Sequence, residues 1–159
     1  MTPIRAFVPG FIVPKQSARF TRSGRTYQPK HVVAYKALVS VVVSTARGRR
    51  SFAGPVSVVL VLVMPRTGAT MTRSSPTGRI PHDVKPDVDN LTKALLDGIT
   101  SGGAWVDDAQ VVHLDVTKVR AAIVGEHSRA DMRETEPIGA YITITDYHGI
   151  VPEVTQETT

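Results

Sequence analysis

Val56 to Met64, reading VSVVLVLVM, is a nearly continuous β-branched run that follows Gly54-Pro55. It is far too short to cross a bilayer, and its composition favours a strand covered on both faces at the centre of a sheet. The rest of the chain has to be arranged around that strand.

Ile4 to Val13 is apolar and β-leaning but interrupted by Pro9 and Gly10, which predicts a first strand with a bulge or an edge position. From His31 to Arg47 the residues Val32, Tyr35, Val39, Val42 and Ala46 recur at steps of three and four, so the spacing predicts a helix despite its many valines. Arg47, Arg49 and Arg50 stand at its C-terminal end, where capping and phosphate contact are equal readings. Leu91, Leu95 and Ile99 predict a second helix from Asp87 to Thr100, closed by Ser101-Gly102-Gly103. Gln110 to Val119 and Ile138 to Thr145 read as strands. Pro14 to Lys30, Pro65 to Lys85 and Arg120 to Pro137 read as loops, the second long and mobile. The sum is one small α/β domain of the α+β kind over residues 1–146. A mixed sheet of about four strands carries two main helices, and a flexible tail follows at 147–159.

Charge divides this domain sharply. Met1 to His82 holds 13 Lys and Arg and no acid, whereas Asp83 to Thr159 holds 6 against 14; +13 and −8 give the net +5. A basic half joined to an acidic one suits a polyanion held by one part and worked on by the other. The absence of cysteine excludes disulfides, thiolate zinc sites and a cysteine nucleophile. No secretory or membrane-spanning pattern is present, so a cytoplasmic location and no membrane partner are expected. No G-x-x-x-x-G-K-[ST] occurs, so no nucleotide cofactor is expected.

The acids gather in KPDVDNLTK (Lys85 to Lys93) and WVDDAQVV (Trp105 to Val112). Hydrolysis of a phosphodiester needs an activated water and charge neutralisation, which carboxylates holding Mg²⁺ supply. Asp87 and Asp89 are about 200° apart on an ideal helix, so they share a focus only if Asp87 stands at the cap. Lys93, one turn after Asp89, can pair with it or reach a phosphate. Asp107 and Asp108 follow a helix and a Gly-Gly turn that together can bring the chain back beside the helix start. These residues do not say which of the two faces the site.

Each element also has an ordinary structural reading. An Asp at a helix start is usually a cap, Asp-Asp before a strand usually a solvated turn, and an Asp and Lys four apart usually a surface pair. Asp97 reads as a solvated helix residue and Trp105 as a core aromatic. His82, His113 and His127 lack ligand spacing.

The string KPDVDNLTKALLDGI, then WVDDAQVV with Lys118 shortly after, resembles the RusA family of Holliday-junction resolvases. These are small homodimeric endonucleases of bacteria, often on prophages, and of phages. The specific likeness covers roughly Lys85 to Lys118, and Val13-Pro14-Lys15 with Gly24-Arg25-Thr26-Tyr27 resembles the phage branch. The resemblance implies catalytic, metal-holding aspartates at Asp87, Asp89 and Asp108 and a catalytic lysine at Lys93. It also implies Mg²⁺ dependence and a homodimer acting on four-way DNA. The basic loops would hold the junction arms through phosphates, with Lys15, Arg19, Arg22, Arg25, Lys30 and Lys85 as the expected DNA-binding residues. The segment from 65 to 84 is where the chain compares least well with the family. Three other readings compete: a nuclease for forks or flaps, a DNA-binding protein without catalysis, and a calcium-stabilised structural protein. The last lacks EF-hand spacing.

Overall fold

A computed structural model of the chain describes residues 2–15, 19–20, 26–72, 74–124 and 134–149. In chain order its elements are β1 (Ile4–Pro9), a short hairpin of β2 (Arg19–Phe20) and β3 (Thr26–Tyr27), helix α1 (Lys30–Arg47) and β4 (Val56–Met64). There follow β5 (Ile80–Pro81), helix α2 (Val88–Ser101), β6 (Val111–Arg120), a second hairpin of β7 (Ile123–Val124) and β8 (Glu134–Thr135), and β9 (Gly139–Asp146).

The main sheet is mixed, with strand order β1-β9-β4-β6-β5. The Val56 run is its middle strand, as its composition requires. Leu60 lies between Ile142 of β9, antiparallel, and Val116 of β6, parallel. The sheet has five strands rather than about four because Ile80–Pro81, inside the segment read as a loop, pairs with Arg120 and Val119.

Only one face of β4 is covered. Val56, Val58, Leu60 and Leu62 are fully buried, while Val59, pointing the other way, is 36 % exposed. The expectation of cover on both faces fails because α1 and α2 lie on the same side, as the single buried face of each strand records. Their inward residues, Tyr35, Val39 and Val43 with Leu91, Leu95 and Ile99, form one cluster with Ile4, Val8, Ile142 and Ile144. Val32 is buried with them on α1, whereas Val42 and Ala46 are partly buried at the margin. Burial of this stripe offsets the modest helix propensity of valine.

Arginines fasten the ends of these elements. Arg47 donates from Nε to the Gly102 carbonyl at 2.7 Å and from Nη1 to that of Arg50 at 3.0 Å. Arg50 returns to the carbonyls of Ala46 and Arg47, and reaches those of Thr2 and Pro3. For these two residues capping describes the contacts made. The 65–85 segment is likewise pinned: Arg66 donates to the carbonyls of Ala121, Thr70 and Gly78, and Arg79 makes a bidentate pair with Glu136. The expected mobile loop is therefore tethered on both sides. Among the described residues no helix is long and apolar enough to cross a membrane.

The helices can cross closely because position 98 lacks a side chain. A Cβ at Gly98 would lie 2.6 Å from Cβ of Val39. Helix propensity alone would make Gly98→Ala stabilising by about 1 kcal/mol. Overpacking at the crossing reverses the sign, and urea denaturation should show a loss of about 1–3 kcal/mol.

Candidate active site

The sequence-predicted acids fall into two places at opposite ends of α2. At its start, Asp87 occupies the N-cap position with extended backbone, yet its side chain makes no cap hydrogen bond. Its carboxylate is exposed and uncommitted. Asp89, in the first turn, meets Lys93 Nζ at 3.4 Å, both side chains being about 60 % exposed (59 % and 60 %). Such a pair contributes at most about 1 kcal/mol, so each partner can turn to a ligand. Val88, Asp89, Thr92, Lys93 and Leu96 of α2, with Leu114 and Val116 of β6, line a groove of about 510 Å³ whose floor is apolar.

The end of β6 positions this region. Lys118 Nζ donates to the Val84 carbonyl at 2.7 Å and the Pro86 carbonyl at 2.8 Å, tying down the residues that lead into Asp87. Arg120 meets Asp83 at 3.3 Å, and the His82 amide donates to the Lys118 carbonyl. His82 itself is buried, and its Nδ1 has no hydrogen-bond partner among the described residues. Burial first, then the charges of Arg120 and Lys118, hold its pKa below the ordinary 6.5.

At the far end of α2 lies a second pocket of about 250 Å³, lined by Lys36, Asp97, Thr100, Ser101, Asp107 and Asp108. Asp107 and Asp108 are not equivalent there. Asp107 caps the single 3-10 turn Asp108–Gln110, accepting from the Ala109 amide at 2.8 Å. Gln110 completes the box by accepting from the amides of Val106 and Asp107, and donates to the carbonyls of Phe52 and Gly54. Asp108 makes no hydrogen bond among the described residues and projects into the pocket. Trp105 is a core residue, as expected, and its Nε1 donates to Thr100 Oγ1.

The turn after α2 therefore does not bring the Asp-Asp pair back beside the helix start. The return is made by β6, which begins after Asp108 and reaches the Asp87 end only at Lys118. The 14 residues of α2 span about 20 Å, and that is the scale separating the two groups. Among the described residues no three acidic or histidine side chains of one chain gather around a point that could hold an ion.

Of the expected DNA-binding residues, Lys30 opens α1 and Lys85 precedes the acids, both exposed. Lys15 pairs with Asp97 at 2.9 Å, so Asp97 is not simply solvated. Arg19 lies in β2; Arg22 and Arg25, like His127, lie outside the described residues. Two residues gained roles that sequence reasoning did not assign. Lys118 appeared only as part of a motif, with nothing to show its carbonyl partners. Gln110 was detectable, since Asp107 to Gln110 has the D-x-x-Q spacing of a capping box.

Comparison with known proteins places these residues in context. The family model for Endodeoxyribonuclease RusA matches residues 9–126. Crossover junction endodeoxyribonuclease RusA of Escherichia coli (strain K12) is 31% identical over 108 residues, covering 67% of this chain and 77% of that protein. The protein of the same name from Enterobacteria phage 82 is 48% identical over 40 residues, 25% of this chain and 33% of its own.

The buried His82 sets a pH dependence of stability. Its folded pKa lies below the unfolded value, so the unfolded chain takes up the proton first as pH falls. The stabilisation is complete above pH 6.5 and declines below it. Thermal melting should show a lower Tm at acidic pH, and His82→Gln should flatten that slope.

Proposed function

This chain belongs to the RusA family of endodeoxyribonucleases, and from that premise we propose that it resolves four-way DNA junctions by paired nicks, as a Mg²⁺-dependent homodimer serving recombination and repair. The observation that carries the reading is the division of the candidate site between the two ends of α2. Carboxylates sharing one Mg²⁺ bind it at about 2.0–2.1 Å, which no rotamer can reconcile with a helix-length gap. A two-fold partner reconciles it: Asp108 of one copy meets Asp87 and Asp89 of the other, twice. Two equal sites related by a two-fold suit a junction in which two equivalent strands are cut.

The side chains fit such an ion. Asp87 and Asp89 are hard oxygen donors free of structural hydrogen bonds, and Mg²⁺ in phosphate chemistry takes one or two carboxylates with water and substrate oxygens. When bound, the ion supplies Lewis-acid activation of the attacking water and neutralises charge on the phosphate. Lys93 Nζ, held only loosely by Asp89, swings to a phosphate oxygen and stabilises charge as it develops. Lys118 keeps the Asp87 loop in place throughout. Lys30 and Lys85, with Lys15 and the arginines of 19–25, hold the junction arms by their phosphates, which gives affinity that falls with salt and carries no base specificity.

Complementation tests both the residues and the assembly. Homodimers of Asp89→Asn or Asp108→Asn should lose junction cleavage by about a hundredfold or more while still binding DNA. A heterodimer of the two, isolated by separate tags after coexpression, regains one intact site and nicks one strand. Wild type paired with the Asp89→Asn/Asp108→Asn double variant carries a lesion in each site and should be inactive. The reverse pattern would place the whole site within one chain, and undiminished cleavage by either homodimer would remove that residue from the chemistry.

A further inference from the structure

β6 is a long strand with a mostly unpaired edge. On one side it pairs with β4 along its whole length. On the other, β5 covers only Arg120 and Val119, with one more bond from the His82 amide to the Lys118 carbonyl. From Val111 to Thr117 no strand among the described residues pairs with that edge. The segment is also apolar, Val112 being 54 % and Leu114 42 % exposed, and it forms one wall of the groove beneath α2. Edge strands left open to solvent normally carry lysine, proline or a bulge that prevents pairing; Val111 to Thr117 has only Asp115. The opposite edge, β1, is blunted by Arg5 and Pro9 and is remote from every candidate site residue.

We infer that the free edge of β6 pairs antiparallel with the same edge of a second copy, about a two-fold axis near Leu114, to make one ten-stranded sheet. This deepens, and rests on, the two-copy site proposed above. Identical edges joined about a closed two-fold can pair only antiparallel. The start of one β6 then runs beside the end of the other, where Lys118 holds the Asp87 loop. Both α2 helices lie on the same face of the joint sheet and run in opposite directions across the groove. The helix start bearing Asp87, Asp89 and Lys93 thereby faces the other copy's helix end, with its Asp97 and Asp108. The contact also covers Val112, Leu114 and the 84 % exposed Val106, which adjoins the Asp pair.

The chain has no cysteine, so single-cysteine variants report the seam directly. Val112→Cys, Leu114→Cys and Val116→Cys are oxidised separately with copper phenanthroline. A residue near the axis brings its Cα within the roughly 4.4–6.8 Å that a disulfide requires, so at least one of the three should run as a covalent dimer. Arg5→Cys, on the other edge, and Thr143→Cys, on the uncovered face, should not. Leu114→Lys places two lysines opposite each other and should raise the dimer Kd in sedimentation by about a hundredfold or more, with the far-UV circular dichroism unchanged. A wild-type monomer in sedimentation overturns the inference. So does a dimer that survives Leu114→Lys and gives none of the three crosslinks. Crosslinks that form while Asp89→Asn and Asp108→Asn still cut DNA uphold the seam and reject the catalytic reading.

Discussion

Parallel pairing of β4 with β6 is the constraint from which the rest of the structure follows. Two parallel neighbours cannot be joined by a tight turn, so the chain must travel back along the sheet between them, and α2 is that return path. The helix buries Leu91, Leu95 and Ile99 against the sheet and so covers the face that β4 presents. The same geometry fixes where the acids stand. Residues just before the helix lie at one end of the sheet, and residues just before β6 lie at the other. A motif that looks compact in sequence is thereby stretched over the full height of the domain.

Sequence periodicity located α1, α2 and the long strands because each is set by local side-chain chemistry. The middle position of Val56–Met64 was legible for the same reason. Its bare second face was not, since a run of valines looks alike whether one or two layers cover it. β5 escaped notice because two residues carry no period, and they are held by pairing with Arg120 and Val119. The placement of Asp108 depended on strand order, which no local pattern encodes. Its distinction from Asp107 was local all the same: Asp107 and Gln110 have the spacing of a capping box, and a carboxylate that caps a turn is not free to hold a ligand.

The uneven charge of the chain also reads differently once its partners are known. Arg47, Arg50 and Arg66 bind backbone carbonyls, Arg79 is held by Glu136, and Lys15 by Asp97. Part of the basic half therefore serves as internal fastening, where guanidinium groups satisfy helix ends and loop carbonyls that would otherwise face each other unpaired. The charges left for a polyanion are fewer than the sequence count, and they are concentrated in Lys30, Lys85 and the basic loop after β1.

The length of α2 has a consequence for when such an enzyme can act. If each site draws aspartates from two copies, an isolated chain carries no complete catalytic set, and the number of working sites at low abundance rises as the square of protein concentration. A newly made chain would then pass through the cell without cutting the DNA it touches. Synthesis rate becomes the gate, and a small change in expression is amplified into a larger change in cleavage.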